Sequence, residues 1–161
     1  MTDEIIAGLK AQKKLCPQFH ISLQSGCSAT LKRMNRHYDA PEYERICNAL
    51  RSNFEDCTIT TDVMVGFAGE TDEEFAESLE FVKTIGFEKV HVFPYSQREG
   101  TRAAKFPNQL DRRTKQERAK AMADTANEIR RAFLNSQIGK TVEVLAETKA
   151  EDGIFTAKII F

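Results

Sequence analysis

Residues 58–70, TITTDVMVGFAGE, constrain the fold of this chain more than any other stretch. A β-branched run ends in two glycines and a carboxylate, and DEEFAESLEFVKTIG follows at helical spacing. That order reads as strand, glycine turn, helix. Gly66 and Gly69 permit a backbone approach to a ligand that a Cβ would block. Thr71 and Glu74 form a capping-box pattern, so the helix start just past the turn is well marked. Junctions of this kind are where parallel α/β folds hold ligands, and a tight turn with no ligand is the plainer alternative.

The rest of the chain repeats the alternation. Residues 2–15 read as a helix that Pro17 stops, and QFHISLQSGC reads as a strand broken by Ser25 and Gly26. The basic run LKRMNRHY follows. Asp39, Pro41 and Glu42 open the next helix, with Tyr43, Ile46, Cys47, Leu50 and Phe54 on its stripe. The helix after the glycine turn carries Phe75, Leu79, Val82 and Ile85 on one face and stops at Gly86. EKVHVFPYS is a third strand and QREGTRAAKFPNQ a polar loop. Asp111 starts a long helix, striped by Met122, Ala126, Ile129 and Phe133 and ended by Gly139. TVEVLAE and GIFTAKIIF alternate as a hairpin around Asp152-Gly153.

The spacing predicts an α/β fold of parallel strands with crossover helices over residues 1–138, and the start of a second, β unit over 139–161. Two strands make no independent core, and a three-stranded parallel sheet leaves its edges open. The chain is therefore expected to be part of something larger, and its open edges to invite self-association.

Strands buried on both faces read as unbroken apolar runs, but these three do not. His20, Ser22 and Gln24 share one face of the first. Thr58, Thr60, Asp62 and Met64 share one face of the second, and His91 lies between Val90 and Val92 on the third. Buried polar groups without partners cost a few kcal/mol each, so these faces are expected to line a wet cavity or a ligand, as the inner wall of an enzyme barrel does. For His20 or Asp62 taken singly, a satisfied structural hydrogen bond is the plainer alternative. The segments after the strands (Gln24-Ser25-Gly26, the VGFAGE turn, Pro94-Tyr95-Ser96) would meet at one C-terminal rim.

Charge and cysteine content exclude several classes. The 161 residues carry a net charge of −1, so any nucleic-acid contact must come from a local patch. No apolar run reaches the ~20 residues of a membrane span, and the acidic start is not that of a signal peptide, so a cytoplasmic location and no membrane partner are expected. Cys16, Cys27, Cys47 and Cys57 are too scattered for a metal or cluster motif and are expected to be thiols.

LQSGC with LKRMNR, then TDVMVGFAGET, then HVFPYS with GTRAAKFPNQ, resembles the radical S-adenosylmethionine methylthiotransferases that modify tRNA. HVFPYS, AAKFPNQ and the SGC after Gln24 look closest to the bacterial branch acting on threonylcarbamoyladenosine beside the anticodon. The isopentenyladenosine and ribosomal-protein branches are less similar there. The likeness runs over residues 2–147. It implies the last three strands of a six-stranded radical SAM barrel, followed by the start of a TRAM-like RNA-binding β domain. It also implies S-adenosyl-L-methionine as cofactor, 4Fe-4S clusters in the longer enzyme, and tRNA as partner.

By this resemblance Gly66, Phe67, Gly69 and Glu70 pack near the cofactor adenine, and Gln24 and Ser25 near its ribose and methionine part. Asp62, Tyr95 and Ser96 line the same cavity. Lys32, Arg33 and Arg36 stand at the mouth, facing a cofactor carboxylate or tRNA phosphate, with a solvated face as the alternative. Arg98, Arg102 and Lys105 belong to residues 97–131, where basic residues outnumber acidic ones about two to one, a possible phosphate stripe. Ala68 departs from the family's proline. The cluster-binding CxxxCxxC and the preceding domains are absent from these residues, so the isolated chain is expected to be inactive. Two other readings stay open. One is a module that binds tRNA or S-adenosylmethionine without catalysis, and the other is a cluster-free barrel enzyme using Asp62 and His91 as acid and base.

Overall fold

The computed structural model describes residues 1–141, 143–149 and 155–160. Three parallel strands form one sheet: β1 (Gln18–His20), β2 (Thr58–Val65) and β3 (Lys89–Pro94), with β2 central. Phe19 pairs with Ile59, and Asp62 with His91. The crossovers are helical. α1 (Asp3–Lys10) precedes β1, α2 (Ser28–Arg33) and α3 (Ala40–Asn53) join β1 to β2, and α4 (Asp72–Ile85) joins β2 to β3. α5 (Arg112–Gln137) follows β3, and β4 (Glu143–Lys149) pairs antiparallel with β5 (Phe155–Ile160). The turn expected at Asp152-Gly153 lies outside the described residues.

Local chemistry sets the helix ends. The Asp39, Thr71 and Asp111 side chains accept from backbone N–H groups three residues on, each satisfying a donor the helix cannot. Glu74 returns the bond to the Thr71 N–H, completing the capping box. Gly86 closes α4 in the left-handed conformation, with φ 65°.

Two expectations are corrected. The first helix spans Asp3–Lys10 and does not reach Leu15. The first strand pairs regularly only over Gln18–His20. Beyond it the Thr61 hydroxyl donates to the Ile21 carbonyl at 2.6 Å and accepts from the Leu23 N–H at 2.9 Å, so a side chain replaces the ladder. Pairing resumes at Gln24, which bridges to Val63.

The core lies on one face of the sheet. Ile59, Val63 and Val65 of β2 pack with Leu23, with Tyr43, Ile46, Cys47 and Leu50 of α3, with Val82 and Ile85 of α4, and with Met122 of α5. Burial pushes the Cys47 thiol up to about 11. The SGC segment packs tightly as well. A Cβ on Gly26 would lie 2.8 Å from the Ser78 carbonyl oxygen, so α4 closes on bare backbone there.

Candidate functional site

The face of the sheet opposite the core is polar, and its side chains converge. Ser22 Oγ donates to Asp62 Oδ2 at 2.9 Å, and His20 Nε2 lies 3.1 Å from the same oxygen. His20 Nδ1 is 3.0 Å from Thr60 Oγ1, and the His20 and His91 rings stand 6.2 Å apart, edge to face. The alternation seen in the sequence produces this directly, since residues two apart on adjacent parallel strands share a face. Burial alone would raise the Asp62 carboxyl, but the Ser22 and His20 hydrogen bonds outweigh it and hold the group below the usual carboxylate range. Asp62 is thus an ionised acceptor. Ser22 donates to Asp62 and not to His20, so the three do not form a nucleophile–base relay.

One step further toward the C-terminal rim, the same face opens into a cavity of about 400 Å³. Met64, two residues past Asp62, and Gln24 form its floor side. Lys32, Arg33, Met34, Asn35 and Arg36 form one wall, and Phe67, Tyr95, Arg102, Ala103 and Phe106 the other. Gln24 sits in the left-handed region, with φ 67°, a conformation costly for a residue with a Cβ. Its N–H donates to Asp62 O and its carbonyl accepts from Met64 N, both at 2.8 Å, which links the polar face to the cavity. The Phe67 ring meets Tyr95 at 5.0 Å and Phe106 at 6.1 Å, both edge to face, so the aromatic wall is a packed unit.

The glycine turn is held from behind. Glu70 is 4% exposed; its carboxylate accepts from the Gly66 N–H at 2.7 Å and from Arg118 of α5 at 2.7 Å. Arg118 also donates to the Glu70 carbonyl and to Asp72. Burial pushes the Glu70 carboxyl above its ordinary value against the pull of Arg118 and Gly66. Gly66 and Gly69 both have left-handed φ, 73° and 75°. The space beside Gly66 is filled by the Lys115 side chain, which a Cβ would meet at 2.6 Å. The first service of Gly66 is therefore to let α5 approach.

The fifteen residues singled out from the sequence divide accordingly. Gln24, Lys32, Arg33, Arg36, Phe67, Tyr95 and Arg102 line the rim cavity. Asp62 faces His20 and Ser22 on the polar sheet face. Ser25 is fully buried and its hydroxyl accepts from the Cys27 N–H, while Gly66, Gly69 and Glu70 shape the turn. Ser96 lines a separate surface groove with Gln97, Arg112, Lys115 and Gln116. Arg98 and Lys105 are exposed and outside the cavity lining. Arg33 is less free than a basic run suggests: both its terminal nitrogens donate to Glu74, whose carboxyl is held low chiefly by that bond. Met64, on the face expected to line a cavity, does line it, whereas Met34, Asn35 and Phe106 were not singled out. The left-handed Asn35, φ 59°, ending a short helix, and the aromatic in KFPN are signals that point to them.

Among the described residues no group of three His, Cys, Asp or Glu side chains is arranged to hold a metal ion. Cys27 and Cys47 are buried, Cys16 is exposed and Cys57 half-buried, all as free thiols. Among the described residues the cysteines are not arranged to hold an iron–sulfur cluster. No described helix is long and apolar enough to cross a membrane.

The profile of the radical SAM superfamily matches residues 1–82. The chain is 37% identical over 147 residues to the tRNA-2-methylthio-N(6)-dimethylallyladenosine synthase of Caldicellulosiruptor saccharolyticus, covering 91% of this chain and 31% of that protein. It is 38% identical over 156 residues to threonylcarbamoyladenosine tRNA methylthiotransferase MtaB of Thermotoga maritima, covering 97% of this chain and 36% of that protein. The chain thus spans about a third of the length of these curated relatives. Coproporphyrinogen III oxidase from Escherichia coli, a radical SAM enzyme, superposes with a TM-score of 0.68 over 80% of this chain and 30% of its own, at 16% identity. At that identity the likeness is one of fold: three parallel strands with their helices match part of a radical SAM barrel.

Proposed function

We propose, from the premise that this chain belongs to the radical SAM superfamily, that it is the C-terminal half of the barrel of a tRNA methylthiotransferase. In the finer reading the enzyme adds a methylthio group to C2 of N6-threonylcarbamoyladenosine beside the anticodon. The related dimethylallyl (isopentenyl) substrate is the alternative, since curated relatives of both kinds match over most of the chain. The observation that carries the proposal is the continuity of the two features: a polar sheet face centred on Asp62 runs, through Gln24, into a rim cavity with an aromatic wall.

Bound at this rim, S-adenosyl-L-methionine would supply the radical and the methyl group. The chain's own part is to bind and orient. Asp62, held ionised by Ser22 and His20, offers an acceptor to a cationic or hydroxyl-bearing ligand on the polar face. Gln24 links that face to the cavity, which Phe67 and Tyr95 help to line. Ser25, Gly66, Gly69 and Glu70 fix the backbone of the two loops, and Ser96 lines a separate groove that Tyr95 shares. Arg98 and Lys105, exposed beyond the cavity, suit phosphates of a tRNA backbone. Residues 139–161 are read as the start of a TRAM-like RNA-binding unit. The 4Fe-4S cluster would come from a segment other than these residues, so the isolated chain is expected to show no turnover.

The test is genetic and chemical. Disrupting the gene that encodes this chain should remove 2-methylthio-N6-threonylcarbamoyladenosine from digested tRNA and leave its unmethylthiolated parent. Loss of the dimethylallyl counterpart instead would favour the alternative, and no change in either nucleoside would refute the assignment.

A further inference from the structure

We propose that the groove between the end of β3 and the first turn of α5 grips the sugar–phosphate backbone of the RNA substrate, with Arg112 and Lys115 as the cations that meet its phosphates. This rests on the tRNA methylthiotransferase reading above. The groove has a volume of about 540 Å³ and is distinct from the rim cavity. Ser96 and Gln97 reach it from the segment after β3, and Arg112, Lys115 and Gln116 from α5. Its lining holds two cationic side chains and no Asp or Glu. Ser96, placed by resemblance beside the cofactor, lines this groove instead.

The cations at the start of α5 are not equivalent. Residues 112–120 contain five of them. Arg113 pairs with Glu117, Lys120 with Asp124, and Arg118 with Glu70 and Asp72. Arg112 and Lys115 have no acidic partner among the described residues, and these are the two that line the groove. Asp111, beside Arg112 in the chain, is already engaged: both its carboxylate oxygens accept from Thr114. Arg112 and Lys115 stand three residues apart on a helix, so they are neighbours on its surface. Packing holds Lys115 in place. Its stem fills the space beside Gly66, and its ammonium lies 5.1 Å from the centroid of the Tyr95 ring. A cation fixed in advance loses little rotamer freedom when an anion arrives.

The chemistry of the lining suits a nucleic-acid backbone. Two neighbouring cations repel one another, and an anion seated against both relieves that repulsion. The Ser96 hydroxyl and the Gln116 amide add neutral donors of the kind that phosphate oxygens accept from. Pro94 and Leu110 add apolar surface, which suits the sugar joined to the phosphate. S-adenosylmethionine, with a sulfonium and an ammonium against one carboxylate, is net cationic and would meet no acid in this lining. Position points the same way. Tyr95, 8% exposed, lines both the groove and the rim cavity, and its buried hydroxyl has no hydrogen-bond partner among the described residues. The groove therefore adjoins the rim. Chemistry on a base takes that base out of its stack, so the flanking backbone has to be held by protein. A strand that presents its nucleotide at the rim brings adjoining phosphates to Arg112 and Lys115.

The experiment is fluorescence anisotropy of a labelled anticodon stem-loop RNA titrated with this chain over a series of salt concentrations. R112Q/K115Q should bind about tenfold more weakly at low salt, and its plot of log affinity against log salt should be shallower by about one per cation removed. R113Q/K120Q removes the same charge from the same helix but from cations already paired, so it should leave affinity and slope close to wild type. Glutamine at position 115 keeps the stem carbons that pack on Gly66, and an unchanged circular dichroism spectrum checks the fold. R112Q alone alters an exposed side chain clear of the glycine turn and should show about half the change in slope. Equal losses in the two double variants would mean a diffuse charge effect and overturn the proposal. So would an unchanged slope in R112Q/K115Q, or no binding of the RNA by the wild type at low salt. Calorimetry with S-adenosylmethionine closes the remaining route: affinity lost in R112Q would give the groove to the cofactor and overturn the proposal as well. The outcome is separable from the enzyme assignment. Loss of methylthiolated nucleoside on gene disruption, with RNA binding unaltered in R112Q/K115Q, sinks the groove proposal alone.

Discussion

Replacing Arg118 by methionine isolates what the bridge between α5 and the glycine turn contributes. The Arg118 side chain is 7% exposed and that of Glu70 1%, and they meet at 2.7 Å. The same guanidinium reaches Asp72 at 2.6 Å, but that carboxylate is 93% exposed, and a pair so open to water is worth less than about 1 kcal/mol. The Glu70 arm is different. Methionine keeps most of the packing volume and leaves a buried carboxylate with the Gly66 N–H as its remaining donor. Breaking one side of a buried pair costs about 3–5 kcal/mol. Burial already holds the Glu70 carboxyl above its ordinary value with Arg118 present, and loss of the cation raises it further. A carboxyl whose folded value is raised favours the fold when protonated and loses that contribution as pH climbs through the folded value. The loss in R118M should therefore be smaller near about pH 5 and approach about 3–5 kcal/mol near about pH 8. R118M/E70Q, which removes the orphaned charge, should recover most of it. Urea unfolding of the wild type, both single variants and the double variant at the two pH values reads all of this. A loss in R118M under about 1 kcal/mol at the higher pH, or a double variant as unstable as the two singles summed, would refute the reasoning.

Three further outcomes are expected. G26A should destabilise by more than about 2 kcal/mol because its methyl meets the Ser78 backbone, whereas G86A, with open space and only a left-handed φ, should cost about 1 kcal/mol; equal losses in thermal unfolding would contradict the packing described. Asp62, held low by Ser22 and His20 despite burial, contributes stability that is present above its unfolded value of about 3.9 and fades as pH falls through the lower folded value, so the stability gap between wild type and D62N should shrink on acidification; a gap unchanged down to about pH 2 would argue against it. β1 and β3 are open edges of a three-stranded sheet and Phe93 of β3 is 51% exposed, so light scattering should show concentration-dependent self-association; a clean monomer at high concentration speaks against it.

How much was legible in the sequence follows from how local the causes are. The Asp39, Thr71 and Asp111 caps and the Gly86 stop are written in residues three or four apart, and β2 in a β-branched run whose faces alternate every second residue. The shared polar face also follows from alternation, which is why His20, Ser22 and Asp62 meet as expected. α2 was not legible because it has six residues and no side-chain cap at Cys27. The early break in β1 depends on the Thr61 and Tyr43 hydroxyls, both of which donate to the Ile21 carbonyl from distant positions. The role of Glu70 depends on Arg118, 48 residues away, and the freedom of Arg33 on Glu74, 41 away. The cavity joins segments after all three strands, so Met34 and Phe106 acquire a role only once those segments are brought together.

The most direct test of the central claim is mass spectrometry of nucleosides from tRNA of cells with the gene intact and with it disrupted. The account predicts that 2-methylthio-N6-threonylcarbamoyladenosine disappears on disruption while N6-threonylcarbamoyladenosine persists. Its survival at the wild-type level would contradict the account.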